Sequence, residues 1–201
     1  MPSQPDPDGA STRQRMLDAA FELFHGQGVS GTSVDAVLRA SGTGKSQLYH
    51  YFGSKEGLVE AVVEDFEAKL SAGLLPGTDD IETVEDLERW FGMFVGFQRE
   101  TGCTRHCPMA TIAATLTPEN EPIRRRIEGI FERSRAVLLR FFEKQAAEGA
   151  LVPESDPEAL ADFCYAIMQG GLIVARVRRD PTPFSRAVSE ALSHVRRVLG
   201  K

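Results

Sequence analysis

Apolar residues recur along this chain at intervals of three and four, and nowhere do they alternate strictly with polar ones. That spacing belongs to helices with one buried face rather than to half-buried strands. Met16, Leu17, Ala20, Phe21, Leu23 and Phe24 predict a first helix over 11–26, ended by Gly26 and Gly28. Thr32, with Asp35 three residues on, reads as the cap of a second helix reaching about Ala40. Ser41-Gly42-Thr43 is a turn, and a short third helix follows over 44–51. Gly53 breaks it, and Ser54 caps a fourth helix over 54–73 with Leu58, Ala61, Val62, Phe66 and Leu70 on one side. After a turn at 74–80, further helices are predicted from Thr83 to Glu100 and over 108–116, 119–148, 157–178 and 183–199. Proline at several of these starts fits the first helical position, where its missing N–H is not needed. The expectation is an all-α fold of about nine helices.

Composition adds bounds. The chain has 201 residues, 42% of them hydrophobic and 26% charged, as in ordinary globular proteins. The first ten residues, rich in Pro, Asp and Ser, read as a disordered lead-in with no signal-peptide character. No apolar run approaches the roughly 18 residues that span a bilayer, so a cytoplasmic protein with no membrane partner is expected. Net charge is −6, yet residues 28–55 carry Arg39, Lys45 and Lys55 against Asp35 alone. A small positive segment on an acidic body suits a confined contact with nucleic acid.

The candidate chemistry sits in that segment. Gly42-Thr43-Gly44-Lys45-Ser46 looks like the end of a phosphate-binding loop, but Arg39 stands where that loop needs its first glycine, and a helical stretch precedes it instead of a strand. A short helix, a glycine-containing turn and a second short helix make a helix-turn-helix. Residues 28–63 resemble the DNA-binding domain of the tetracycline-repressor (TetR/AcrR) family of transcriptional regulators. The resemblance rests on Gly28, Gly31, Thr32-Ser33-Val34, Lys45, Leu48-Tyr49-His50-Tyr51-Phe52 and Ser54-Lys55-Glu56. Gly44 and Ser46-Gln47 depart from the family's usual residues.

The chain accordingly divides into residues 1–10, a DNA-binding domain over 11–55, and a ligand-binding and dimerisation domain over 56–201. Helix N-termini favour phosphate, which singles out Thr32 and Ser33 at the second helix and Thr43 and Gly44 at the third. Lys45, Ser46 and Gln47 form the first turn of the recognition helix, with Gln47 suited to adenine and Lys45 to guanine or phosphate. Leu48 and Phe52 face the core. The resemblance adds Tyr49, His50 and Lys55 as DNA contacts.

It also implies a homodimer on a palindromic operator, and release by a small hydrophobic effector. The last two helices supply candidate interface residues Ile167, Gly170, Gly171, Val174, Phe184, Val188, Leu192 and Val195. Trp90, Phe91, Phe94, Met109, Ile112, Phe131, Phe163, Met168 and Gln169 are the candidate effector lining. Cys103, His106 and Cys107 offer three possible metal ligands, but a structural zinc site takes four, so no metal or other cofactor is expected. Cys107-Pro108 resembles the LmrA/YxaF-like branch of the family. Arg124-Arg125-Arg126 lies among glutamates and reads as salt-bridged. No nucleophile motif points to an enzyme. The alternative to a regulator is a helical scaffold with a vestigial helix-turn-helix.

Overall fold

The structure is a computed structural model and describes residues 11–75, 77 and 80–200. The expected lead-in over residues 1–10, and part of the turn at 74–80, lie outside the described residues. Among the described residues there are nine α-helices and no strand. They are α1 (Thr12–Gly31), α2 (Val34–Ser41), α3 (Lys45–Phe52), α4 (Lys55–Ser71), α5 (Val84–Glu100), α6 (Pro108–Ala113), α7 (Glu121–Ala147), α8 (Pro157–Arg178) and α9 (Thr182–Val198), with a 3₁₀ turn at Pro118–Asn120. Gly26 does not stop α1; the break comes at Gly28, at φ 77° and ψ 165°.

Two compact units emerge, cut differently from the expected boundary after residue 55. The first holds residues up to Lys69 together with Pro108–Ile127; the second holds Leu70–Cys107 and Glu128–Lys201. In the first unit α1 packs against α2, α3 and α6. Met109 and Ile112 of α6 are buried there, a placement that linear spacing cannot reveal. The arginine run is committed to carboxylates within this unit. Arg124 and Arg125 both pair with Glu121, at 2.7 and 2.9 Å, and Arg126 reaches Glu64 and Glu67 on α4 at 3.0 and 2.9 Å.

The second unit is built from α5, α8 and α9, with Val137, Leu138, Phe141 and Phe142 of α7 completing its core. Gly171 sits directly against the fully buried Phe184 ring, and a Cβ at 171 would overlap that ring. This contact corrects the expected interface. Phe184, Val188, Leu192 and Val195 are no more than 7% exposed, because α9 spends its apolar stripe on its own unit. Gly171 is buried with them, Ile167 is half-buried, and Gly170 and Val174 remain outside. Length and composition also need a correction: α8 is long and apolar enough to cross a membrane, with a mean hydropathy of 1.3. Its apolar character has a use in the packed unit, where Leu160, Ala161, Cys164, Met168, Leu172 and Ala175 are buried.

The Gly171–Phe184 contact has a measurable consequence. Gly171→Ala forces a methyl into a filled core and lowers unfolding stability by about 1–3 kcal/mol. Gly92→Ala, at an exposed position of α5 with open space around it, raises stability by up to about 1 kcal/mol. Denaturant titration of both variants checks the pair, and equal effects would contradict the packing.

Candidate nucleic-acid interface

The second helix starts one residue later than expected. Ser33 is its cap, accepting from the Ala36 N–H at 3.1 Å. Thr32 is 1% exposed, its hydroxyl donates to the Gly28 carbonyl at 2.8 Å, and its N–H donates to the Val29 carbonyl. The break at Gly28 places that carbonyl where Thr32 can reach it, so Thr32 is withdrawn from the contact set while Ser33 stays exposed. Helix α2 ends at Gly42, which adopts the left-handed conformation (φ 64°, ψ 33°) that glycine tolerates best and turns the chain into α3. Ser41 donates to the Val37 carbonyl at 2.8 Å, and the Ser41 and Thr43 hydroxyls lie 2.6 Å apart. With the Ser41 proton on Val37, Thr43 is the donor of that pair. Its hydroxyl is thus used inside the turn and is not available to donate to a phosphate.

Two buried side chains tie α3 down. Leu48 is fully buried and Phe52 is 9% exposed, one turn apart on one face. Lys45, Ser46, Gln47, Tyr49, His50 and Tyr51 are all exposed. Gly44 has no side chain with which to cap the helix, and Gln47 supplies the deficit: its amide oxygen accepts from the Gly44 N–H at 2.9 Å. A bidentate Gln–adenine pair needs both amide atoms, so reading adenine requires Gln47 to release Gly44. Tyr51 was absent from the expected contacts, yet it is 43% exposed and its ring meets that of His50 at 5.3 Å. The signal was available: an eight-residue helix anchored at 48 and 52 leaves position 51 outward.

Lys55, the expected phosphate contact, has a partner inside its own unit. Its ammonium donates to the Val29 carbonyl at 2.7 Å, tying the start of α4 to the end of α1. It lines a recess of about 360 Å³ with Val29, Glu56, Val59, Leu116 and Ile123, all within the first unit. The neighbouring Glu56 carboxyl is held below its usual range by its own backbone N–H and the Ser54 hydroxyl, which keeps a negative charge beside Lys55. Arg39, one of the cations of the positive segment, is exposed, and so is Arg13, which sequence spacing did not single out.

The nine expected effector-lining residues divide between the two units. Met109 and Ile112 belong to the first unit's core. Trp90, Phe91 and Met168 are buried in the second, where the Trp90 indole donates to the Gly77 carbonyl at 3.3 Å and its ring meets Phe91 and Phe94 edge-on. Phe163 is 39% exposed beside His194. Phe131 meets Tyr165, whose hydroxyl accepts from Gln169 at 2.9 Å and whose pKa is raised by burial. Sequence reasoning also missed Gln98. This residue is fully buried, donates from Nε2 to the Arg105 carbonyl at 2.9 Å, and leaves its amide oxygen without a partner among the described residues.

The cysteine-histidine segment does not form a ligand set: His106 turns to Arg176, with 2.9 Å between Nδ1 and the guanidinium. Among the described residues no three His, Cys, Asp or Glu side chains gather as a metal site would need. Cys103 and Cys164 are buried thiols, and burial pushes the Cys164 pKa up to about 12.

Comparison with known proteins matches two successive stretches of the chain. The family described as "Bacterial regulatory proteins, tetR family" matches residues 16–62, and "Tetracyclin repressor-like, C-terminal domain" matches residues 83–191. The HTH-type transcriptional repressor DhaR of Mycobacterium sp. (strain GP1) is 25% identical, over 90% of this chain and 91% of its own length. The HTH-type transcriptional regulator LmrA of Bacillus subtilis (strain 168) is 27% identical, over 86% and 90%. Among solved structures, a cysteine mutant of the TetR-family regulator CifR, described as complexed with 26-base-pair double-strand operator DNA, superposes with a TM-score of 0.73. It is 24% identical and covers 96% of this chain and 98% of its own.

The capping assignment is testable apart from any partner. Ser33→Ala is expected to lower unfolding stability by about 1 kcal/mol. Ser46→Ala, exposed on the next helix, stays within about 0.5 kcal/mol of the parent. Two equal values in denaturant unfolding would place the cap elsewhere.

Proposed function

Because the chain belongs to the tetR family of bacterial regulatory proteins, we propose that it represses transcription as a homodimer on a palindromic operator and is released by a small hydrophobic molecule. The observation that carries this reading is the outward face of α3. Lys45, Ser46, Gln47, Tyr49, His50 and Tyr51 are presented together by two buried anchors. A helix so held enters the major groove with its first turn foremost. The relative DhaR is named a repressor, which supports the direction of the effect, and CifR is described with operator DNA, which supports duplex binding. Ser33, Gly44, Lys45, Ser46, Gln47, Tyr49 and His50 remain the proposed contacts, and Tyr51 joins them. The protein acts by binding rather than catalysis, in the cytoplasm.

The homodimer reading draws support from α8. Phe163, Ile173, Val174 and Val177 are 39, 46, 42 and 78% exposed, and Gly170 lies on the same helix with open space around it. An apolar exposed stripe on an otherwise packed helix marks an association surface. Ile167, Gly170 and Val174 therefore stay in the proposed interface, while the α9 residues leave it. Two recognition helices would then meet half-sites about 34–36 Å apart.

The effector reading draws support from Gln98. A buried amide oxygen without a donor costs about 1–3 kcal/mol, and a ligand with a hydroxyl or N–H would satisfy it. A ligand that prefers the released conformation weakens DNA binding by the same factor by which DNA weakens its own binding.

Val177→Arg tests the assembly. Sedimentation is expected to show a shift from dimer to monomer, and affinity for DNA selected by the wild-type chain is expected to fall at least roughly tenfold, because each half-site alone binds weakly. A variant that stays dimeric with full affinity would rule out α8 as the interface.

A further inference from the structure

Arg13 lies in the first turn of α1, far in sequence from the recognition helix, yet its guanidinium carbon sits 5.6 Å above the centre of the Phe52 ring. That distance is within the range of a cation–π contact. Phe52 is the last residue of α3, and its ring is 6.1 Å from Tyr51, which in turn meets His50 at 5.3 Å. Arg13 therefore stands at the C-terminal end of α3, next to the exposed aromatic side chains. It is exposed, and among the described residues it has no ion-pair partner. Several other cations of the first unit are engaged: Lys69 with Asp18 and Asp65, Arg126 with Glu64 and Glu67, and Lys55 with the Val29 carbonyl.

Distance along α3 gives this charge a use. Eight residues of α-helix span about 12 Å. The major groove of duplex DNA is also about 12 Å wide. Lys45 marks one end of that span and Arg13 the other. We propose that Arg13 is a backbone-phosphate anchor on the groove wall opposite Lys45, held there by the face of Phe52. The stacked guanidinium keeps its N–H edge free for a phosphate oxygen, which a planar fork suits better than an ammonium. Arg13 is then a positioning residue: it fixes how far α3 slides along the groove and reads no base. This inference rests on the DNA-binding reading above.

Salt dependence separates a phosphate contact from a structural effect, because each neutralised phosphate contributes about 0.9 to the slope of log affinity against log salt. The probe is the duplex of roughly 30 base pairs that the full wild-type chain selects from a randomised pool, long enough for two half-sites a helical turn apart. In Arg13→Gln the slope is expected to fall by about 0.9 for each Arg13 engaged, with the thermal melt unchanged, while Arg13→Lys keeps the slope. Arg89→Gln, which removes an exposed guanidinium paired with Asp86 in the second unit, is expected to leave it unchanged. Phe52→Leu is expected to weaken binding with Arg13 present and to have little further effect in the Arg13→Gln background. An unchanged slope in Arg13→Gln, or an equal fall in Arg89→Gln, overturns the inference while leaving the DNA-binding reading intact. A wild-type chain that selects no duplex overturns that reading and this inference together.

Discussion

The burial of Leu48 and Phe52 decides which way the recognition helix faces, and every functional feature of the first unit follows from it. Burying two such side chains contributes about 1.5–3 kcal/mol each, enough to fix the roll of a helix only eight residues long. With that face pinned, Lys45, Ser46, Gln47, Tyr49, His50 and Tyr51 have nowhere to go but outward. The left-handed turn at Gly42 sets the entry into the helix, and the Gln47 amide caps its bare start. Phe52 serves twice, buried in the core and with its ring under Arg13.

The second unit works by the same economy of contact. Gly171 lets α8 and α9 close on each other around Phe184, so α9 keeps its apolar stripe inside the chain. What remains outside is the α8 face carrying Val174 and Val177. This is a transcriptional regulator of the tetR family whose net charge of −6 coexists with a helix-turn-helix that is locally positive. An acidic body restrains loose attachment to phosphate and leaves the contact to a few cations.

The helices, the turn at Gly42 and the outward set on α3 were legible in the sequence because they depend on local periodicity and turn chemistry. The exact cap was not. Thr32 and Ser33 are both good capping residues, and the choice between them is made by the break at Gly28, which hands Thr32 a carbonyl of its own. Periodicity also says that a face is buried without saying by what, so the α9 stripe read as an interface although it is core. The same gap bears on the expected effector residues: aromatic and Met positions mark packing without saying whether a cavity lies among them, whereas the orphaned oxygen of Gln98 shows only in three dimensions. Lys55 and Arg13 are the converse cases. One resembled a phosphate contact and also ties α4 to a carbonyl of α1; the other, 39 positions from Phe52 along the chain, carried no local signal at all.

The most direct test of the account is amide hydrogen exchange of the full chain with and without the duplex it selects. Slowed exchange confined to the start of α2 and to residues 43–52, with the buried amides around Leu48 already protected in the free protein, is the predicted result. Slowing in α5 or α8 with residues 43–52 unaffected would contradict it.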